Sequence, residues 1–247
     1  MIKFFRKIRQ NLLSEGKTGK YFKYAIGEIV LVVIGILIAL SINNWNESRK
    51  EENLKENYYQ QLLSDFEIDN NFAKEKISYL QAEIKKIEDY NKIYAKPNLS
   101  ITEIFDSILK NNFSTSGLEY KTSTIETLIN TGDIKIFNPK LRGLLTQYNK
   151  SKLENIKSFS ANLGDLSDLL KEAALKGASV LIQKKYHNQS QLRQMLTIEK
   201  RYPDMYIALD AYLDWKSIVY GAYINNLNQN IDESKEIIEI LKTELKK

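Results

Sequence analysis

Between Ala25 and Ile42 the chain reads AIGEIVLVVIGILIALSI, and the only polar side chains in that run are those of Glu28 and Ser41. A run this long and this apolar matches the roughly 20 residues of helix that a bilayer requires. Tyr21, Phe22 and Tyr24 stand at one end and Trp45 at the other, where the aromatic belts of membrane helices lie. A cleaved signal peptide is the competing reading, since Ala39-Leu-Ser41 loosely resembles a cleavage site. Against it, both the apolar run and the basic stretch before it are long for a signal peptide. The expectation is a retained transmembrane anchor over residues 24–45, followed by one further domain over residues 46–247.

The charge distribution sets the orientation. Of the net +5, residues 1–23 carry +6: Lys3, Arg6, Lys7, Arg9, Lys17, Lys20 and Lys23 are opposed by Glu15 alone. Glu28 removes one charge, so residues 29–247 are neutral. Phosphate neutralisation needs clustered base, and the large domain has no excess of it, so no nucleic-acid partner is expected. After the apolar run, Arg49, Lys50 and Lys55 are mixed with Glu47, Glu51, Glu52 and Glu56. Lys and Arg collect on the cytoplasmic side of membrane helices, which predicts a cytoplasmic N-terminus and an outer C-terminal domain. Within residues 1–23, Phe5, Ile8 and Leu12 recur at helical spacing among Lys3, Arg6, Lys7 and Arg9. That pattern fits a basic amphipathic helix on the anionic inner leaflet, with a disordered basic tail as the alternative. Gly16-Lys-Thr18 is not a P-loop, because position 11 is Asn where the motif needs Gly and no strand precedes it.

Three segments carry a family resemblance: Phe4-Phe-Arg-Lys-Ile-Arg9, the run from Gly16 to Leu40, and Asn43-Asn-Trp-Asn-Glu47. Together they resemble the opening of a single-pass membrane protein family of Bacteroidota whose domain has no assigned function. A looser match runs from Thr124 to Asn138 and on to Leu141, Arg142 and Tyr148. The resemblance implies a Gram-negative inner membrane and a periplasmic domain. It implies no activity and no catalytic residues.

Glu28, Val32, Gly35, Ala39 and Asn43 fall at spacings of four, three, four and four, near one face of the anchor. Gly35 and Ala39 form a small-xxx-small pair, which permits close helix approach. One reading is a membrane-helix interface in which Glu28 meets a partner's charge, since an ionisable group in a membrane helix is costly. The other is that Glu28, about one turn inside, snorkels to the headgroups and sets helix depth.

Beyond the anchor the pattern is helical. From Glu47 to Lys96 there is neither Gly nor Pro. Positions 59, 63, 66, 70, 73, 77, 80, 84, 87, 91 and 94 form a four–three alternation that places Asn70 and Asn91 on a seam. Buried Asn costs stability but fixes register. Ser100-x-x-Glu103 and Ser123-x-x-Glu126 read as capping boxes, Gly132 as a helix stop, Asp133–Phe137 as a brief extended turn, and Asn138-Pro139 as a helix start. A second apolar stripe follows through Leu141, Leu145, Tyr148, Ile156, Phe159, Leu163, Leu166, Leu170 and Ala173. A third, after Tyr202-Pro203, follows positions 220, 224, 227, 231, 234, 238, 241 and 245. The fold class expected is all-α: one transmembrane helix, then an elongated antiparallel bundle of coiled-coil-like long helices.

Little points to chemistry. There is no Cys, and the single His187 sits beside Lys184, Lys185 and Tyr186, not beside ligand types. Asp204, Asp210 and Asp214 read as a solvated face. Tyr202, Tyr206, Tyr212, Tyr220, Tyr223 and Trp215 read as core or an oligomer interface. The sequence therefore predicts a non-enzymatic envelope protein without cofactor or metal. Its expected partners are the lipid bilayer and either further copies of itself or another membrane or envelope protein. The alternative is a signal or force transducer acting through Glu28.

Overall fold

A computed structural model describes residues 6, 14, 18–115, 123–179 and 186–246. Among them are six α-helices and no strand. They are α1 (Thr18–Asn91), α2 (Ile101–Ile108), α3 (Thr124–Thr131), α4 (Pro139–Leu175), α5 (Ser190–Met195) and α6 (Tyr202–Glu244), with 3-10 turns at Lys92–Ala95, Asp133–Ile136 and Ile198–Arg201. The chain divides into two units, Met1–Asn57 and Tyr58–Lys247.

The first unit contains the start of α1. Its stretch from Phe22 onward is long and apolar enough to cross a membrane. From Phe22 to Asn57 every side chain is exposed except Ala25, Glu28, Asn46 and Lys55, which are partly covered. Helix is the conformation this run must take in an apolar solvent, because it satisfies every backbone N–H and C=O internally.

The second unit is a bundle of three long helices: α1 from Tyr58, α4 and α6. Phe66 packs edge-on to Tyr148 and Tyr59 stacks on Phe137, so α1 and α4 run parallel. Asn70 meets Ser234 while Tyr90 meets Asp210, so α6 runs antiparallel to both. The return from the end of α1 to the start of α4 is made by α2, α3 and their turns.

Sequence chemistry sets the ends of these elements. Ser100 and Glu103 form a reciprocal capping box at α2. At α3 the predicted box does not form; Ser123 makes no side-chain cap, and the Thr124 N–H instead donates to Asp65 Oδ2 at 3.2 Å. A carboxylate from a neighbouring helix has replaced the local hydroxyl. Gly132, at φ +82°, ends α3 in a conformation open to Gly at no Cβ penalty. The segment after it is a 3-10 turn instead of the expected extended one. The i, i+3 geometry of that turn brings Ile134 and Phe137 together into the core. Asn138 Oδ1 accepts from the Leu141 N–H at 2.9 Å and opens α4, with Pro139 in its first turn.

The seam of α1 is displaced from its predicted register. Tyr59, Leu62, Phe66, Asp69, Ala73, Leu80, Glu83, Ile87 and Tyr90 are buried, an alternation of three and four that takes 62, 69, 83 and 90 in place of 63, 70, 84 and 91. Leu63, Asn70 and Ile84 flank it half-buried, and Asn91 is exposed. The same displacement occurs in α6, where Tyr223, Asn230 and Ile237 are buried and Ile224, Ile231 and Ile238 flank them. Apolar residues occupy both sides of the seam, so a reading that follows hydrophobicity alone settles on the neighbouring row.

Candidate functional site

The predicted interface residues Glu28, Val32, Gly35, Ala39 and Asn43 all lie on α1. At 3.6 residues per turn they share a stripe about 80° wide. Glu28 is partly covered and the other four are exposed. A Cβ added at Gly27 or Gly35 would meet nothing within 4 Å, so this stripe is open to close approach. Past it, the Arg49 guanidinium lies 5.2 Å from the Trp45 ring centroid, a cation–π pair. Of the predicted surface cations, Arg6 is exposed, while Lys3, Lys7 and Arg9 lie outside the described residues.

Inside the bundle the polar side chains gather in three places. The first is a layer across α1, α4 and α6. Lys152 Nζ donates to Asp69 Oδ2 at 2.9 Å, with both side chains at most 6% exposed. Asn70 Nδ2 donates to Ser234 Oγ at 3.0 Å, and Ser234 donates onward to the Ile231 carbonyl at 2.7 Å. Asn155 Nδ2 donates to Asn230 Oδ1 at 3.2 Å. Asn149, Asn230 and Ser234 are buried here too.

The second is centred on Lys216, whose side chain is 1% exposed. Its ammonium donates to Glu83 Oε2 at 3.2 Å and to the Asn112 carbonyl at 2.5 Å, and it lies 5.1 Å from the centroid of Tyr220. Tyr212 donates to the Phe113 carbonyl, so α6 holds the segment after α2 by two backbone carbonyls. Glu83 also accepts from Lys86 at 2.7 Å. Burial works to raise the Glu83 carboxyl's pKa, but the hydrogen bonds from Lys86 and Lys216 outweigh it and hold the net value below the usual range. Burial lowers the pKa of Lys216, and Glu83 offsets this only in part. The Tyr212 phenol is pushed up to about 12, by burial first and then by the Glu83 charge.

The third is a tyrosine chain at the far end of α1. Tyr90 donates to Asp210 Oδ1 at 2.8 Å. Its hydrogen is thereby committed, so Tyr94 donates to Tyr90 at 2.7 Å, and Tyr206 to Tyr94 at 2.6 Å. Burial, and then the hydrogen bond that Tyr90 donates to the Asp210 carboxylate, raises the Tyr90 pKa. Beside these centres, a depression of about 720 Å³ is lined by Asp106, Leu109, Lys110, Phe113, Leu170 and Ala174 among others.

The sequence profile of a family of unknown function (DUF6090) matches residues 28–152, half of the chain. The chain belongs to the DUF6090 family. No curated protein and no solved structure matches it. The DUF6090 span begins at Glu28 and ends at Lys152. It thus contains Asp69 and its partner Lys152, whereas Lys216, Asn230 and Ser234 lie beyond it.

The sequence reading missed the buried charges. Asp69, Glu83, Lys152 and Lys216 look like ordinary surface residues by type. The available signal was register: counted from Tyr59 and Leu62, Asp69 and Glu83 stand on the inward row. Asp210, read as solvated, is half-buried under Tyr90. The tyrosines read as core are mostly that: Tyr212, Tyr220 and Tyr223 are buried, and Tyr202 and Tyr206 are half-buried.

Proposed function

We propose that this is a non-enzymatic protein of a bacterial envelope, held in the inner membrane of a Bacteroidota cell by the helix over residues 24–45. In this reading the N-terminus is cytoplasmic and the bundle, over residues 46–247, is periplasmic. The bundle serves assembly or partner binding, either with further copies of the chain or with another envelope protein. The observation that carries the reading is the exposure of every large apolar side chain between Phe22 and Ile42. A sheath of aliphatic side chains that size is costly in water at about 25 cal/mol per Å², and lipid removes that cost.

Alkaline carbonate washing of membranes should leave the chain in the pellet, and a C-terminal alkaline phosphatase fusion should be active. Release into the wash, or an inactive phosphatase with an active cytoplasmic reporter at the same position, would overturn the topology. Cross-linking in native membranes should yield a discrete higher-mass species, whereas a strictly monomeric product would remove the assembly reading.

The placement of Glu28 favours a second reading, a signal or force transducer. It is a carboxylate beside the open stripe of Gly35 and Ala39. Glu28→Gln should then abolish the cellular role with insertion and abundance unchanged. A fall in abundance alone would make Glu28 a depth anchor.

A further inference from the structure

The polar layer divides the bundle's core on all three long helices. On α1, Tyr59, Leu62 and Phe66 belong to one apolar cluster and Ala73, Leu80, Ile87 and Tyr90 to another. Asp69 and Asn70 lie between them. On α4 the first cluster takes Leu141, Leu145 and Tyr148 and the second takes Phe159, Leu166 and Ala173, with Asn149, Lys152 and Asn155 between. On α6 the second cluster ends at Leu227 and the first resumes at Ile237, with Asn230 and Ser234 between. The break therefore falls at one level of the bundle.

Such a layer fixes alignment without adding much cohesion. Apolar contact is non-directional and accumulates with area. A buried ion pair gains Coulomb energy but gives up hydration of both charges, so its net contribution is small or negative against an apolar equivalent. The hydrogen bonds of Asn70, Asn155 and Asn230 are directional and hold register. The Glu83–Lys216 pair differs, because it sits inside the second cluster among Tyr212 and Tyr220 and does not span all three helices.

We propose that the polar layer of Asp69, Asn70, Lys152, Asn155, Asn230 and Ser234 is a joint, across which the Phe66 core and the Tyr220 core open as separate cooperative units. Local opening of contiguous units is a general property of native proteins, and here the layer defines where one unit ends. The inference does not depend on what the domain binds.

Hydrogen exchange on the full chain in lipid nanodiscs tests it. Leu145 and Leu166 are both fully buried, one in each core. Leu145→Ala should lower protection at least tenfold at the amides of residues 59–66, 141–148 and 237–241, consistent with the usual cost of such a truncation. Protection at 80–90, 159–173 and 212–227 should stay within twofold. Leu166→Ala should do the reverse. The milder Leu145→Val and Leu166→Val should show the same partition with smaller falls, so a variant that fails to fold does not decide the matter. An equal fall in both cores from either substitution would overturn the proposal. Filling the layer by Asp69→Leu, Lys152→Leu, Asn155→Leu and Asn230→Leu together should spread the effect of Leu145→Ala to both cores. If the fused variant folds and the effect remains confined, the layer is not what separates them.

Discussion

At the scale of the residue, each buried charge depends on its partner. Lys152 and Asp69 pair with one another away from water, so removing either leaves an uncompensated buried charge. Lys152→Met should destabilise the fold by about 3–5 kcal/mol, and Asp69→Leu combined with Lys152→Met should recover most of that loss. Urea unfolding followed by circular dichroism checks both, and a double variant as unstable as the single would show that the pair does more than satisfy itself. Glu83 gives a pH dependence of definite sign. Its folded pKa is depressed below the unfolded value near 4.3. The resulting stabilisation is complete above that unfolded value and is lost as pH falls through the folded one. As pH falls below the unfolded value the melting temperature should fall, and Glu83→Gln should flatten that acid limb while lowering stability at pH 7.

At the scale of the element, the punctuation residues make the clearest predictions. Gly132→Ala meets open space but a φ of +82°, so its cost should be that of backbone strain, about 1 kcal/mol. Gly177→Ala combines a φ of +108° with a Cβ position 3.0 Å from Met205 Sδ. It should cost more, about 2 kcal/mol, and thermal melts of the two variants should rank in that order. The helix ends at Ser100, Gly132 and Asn138-Pro139 were legible in the sequence because the capping box, glycine and proline act within a few residues. The 3-10 turn after Gly132 was not, because burial of Ile134 and Phe137 against other helices selects it. The cap of α3 by Asp65 was hidden for the same reason, since the capping group lies far away in the chain. The seam was found to within one row, and the polar layer only through Asn70 and Ser234. The inward rows of α1, α4 and α6 carry charges whose partners emerge only when three helices are aligned. That Glu28, Val32, Gly35, Ala39 and Asn43 share one face was legible, because that placement is a property of one helix.

At the scale of the whole bundle, the order of directions is the organising fact: α1 and α4 run together and α6 runs back. The chain has no Cys, so introduced thiols report without background. Spin labels at Gln60→Cys and Lys242→Cys should lie close together, because both positions flank the Phe66 core. The distance from Gln60→Cys to Ala211→Cys should be roughly 30–40 Å longer, given 1.5 Å of rise per residue along α6. Similar distances for the two pairs would reject the antiparallel placement of α6. The return of α6 also fixes how the domain responds to load. Tyr58 and Leu245 pack against the same cluster, so tension applied between residue 58 and the C-terminal end enters at one end of the bundle only. It would peel α6 away turn by turn, as a zipper opens, instead of loading all the helix contacts in shear. A pull on this domain would thus meet its resistance in sequence: first the Phe66 core, then the hydrogen-bonded layer, and last the Tyr220 core.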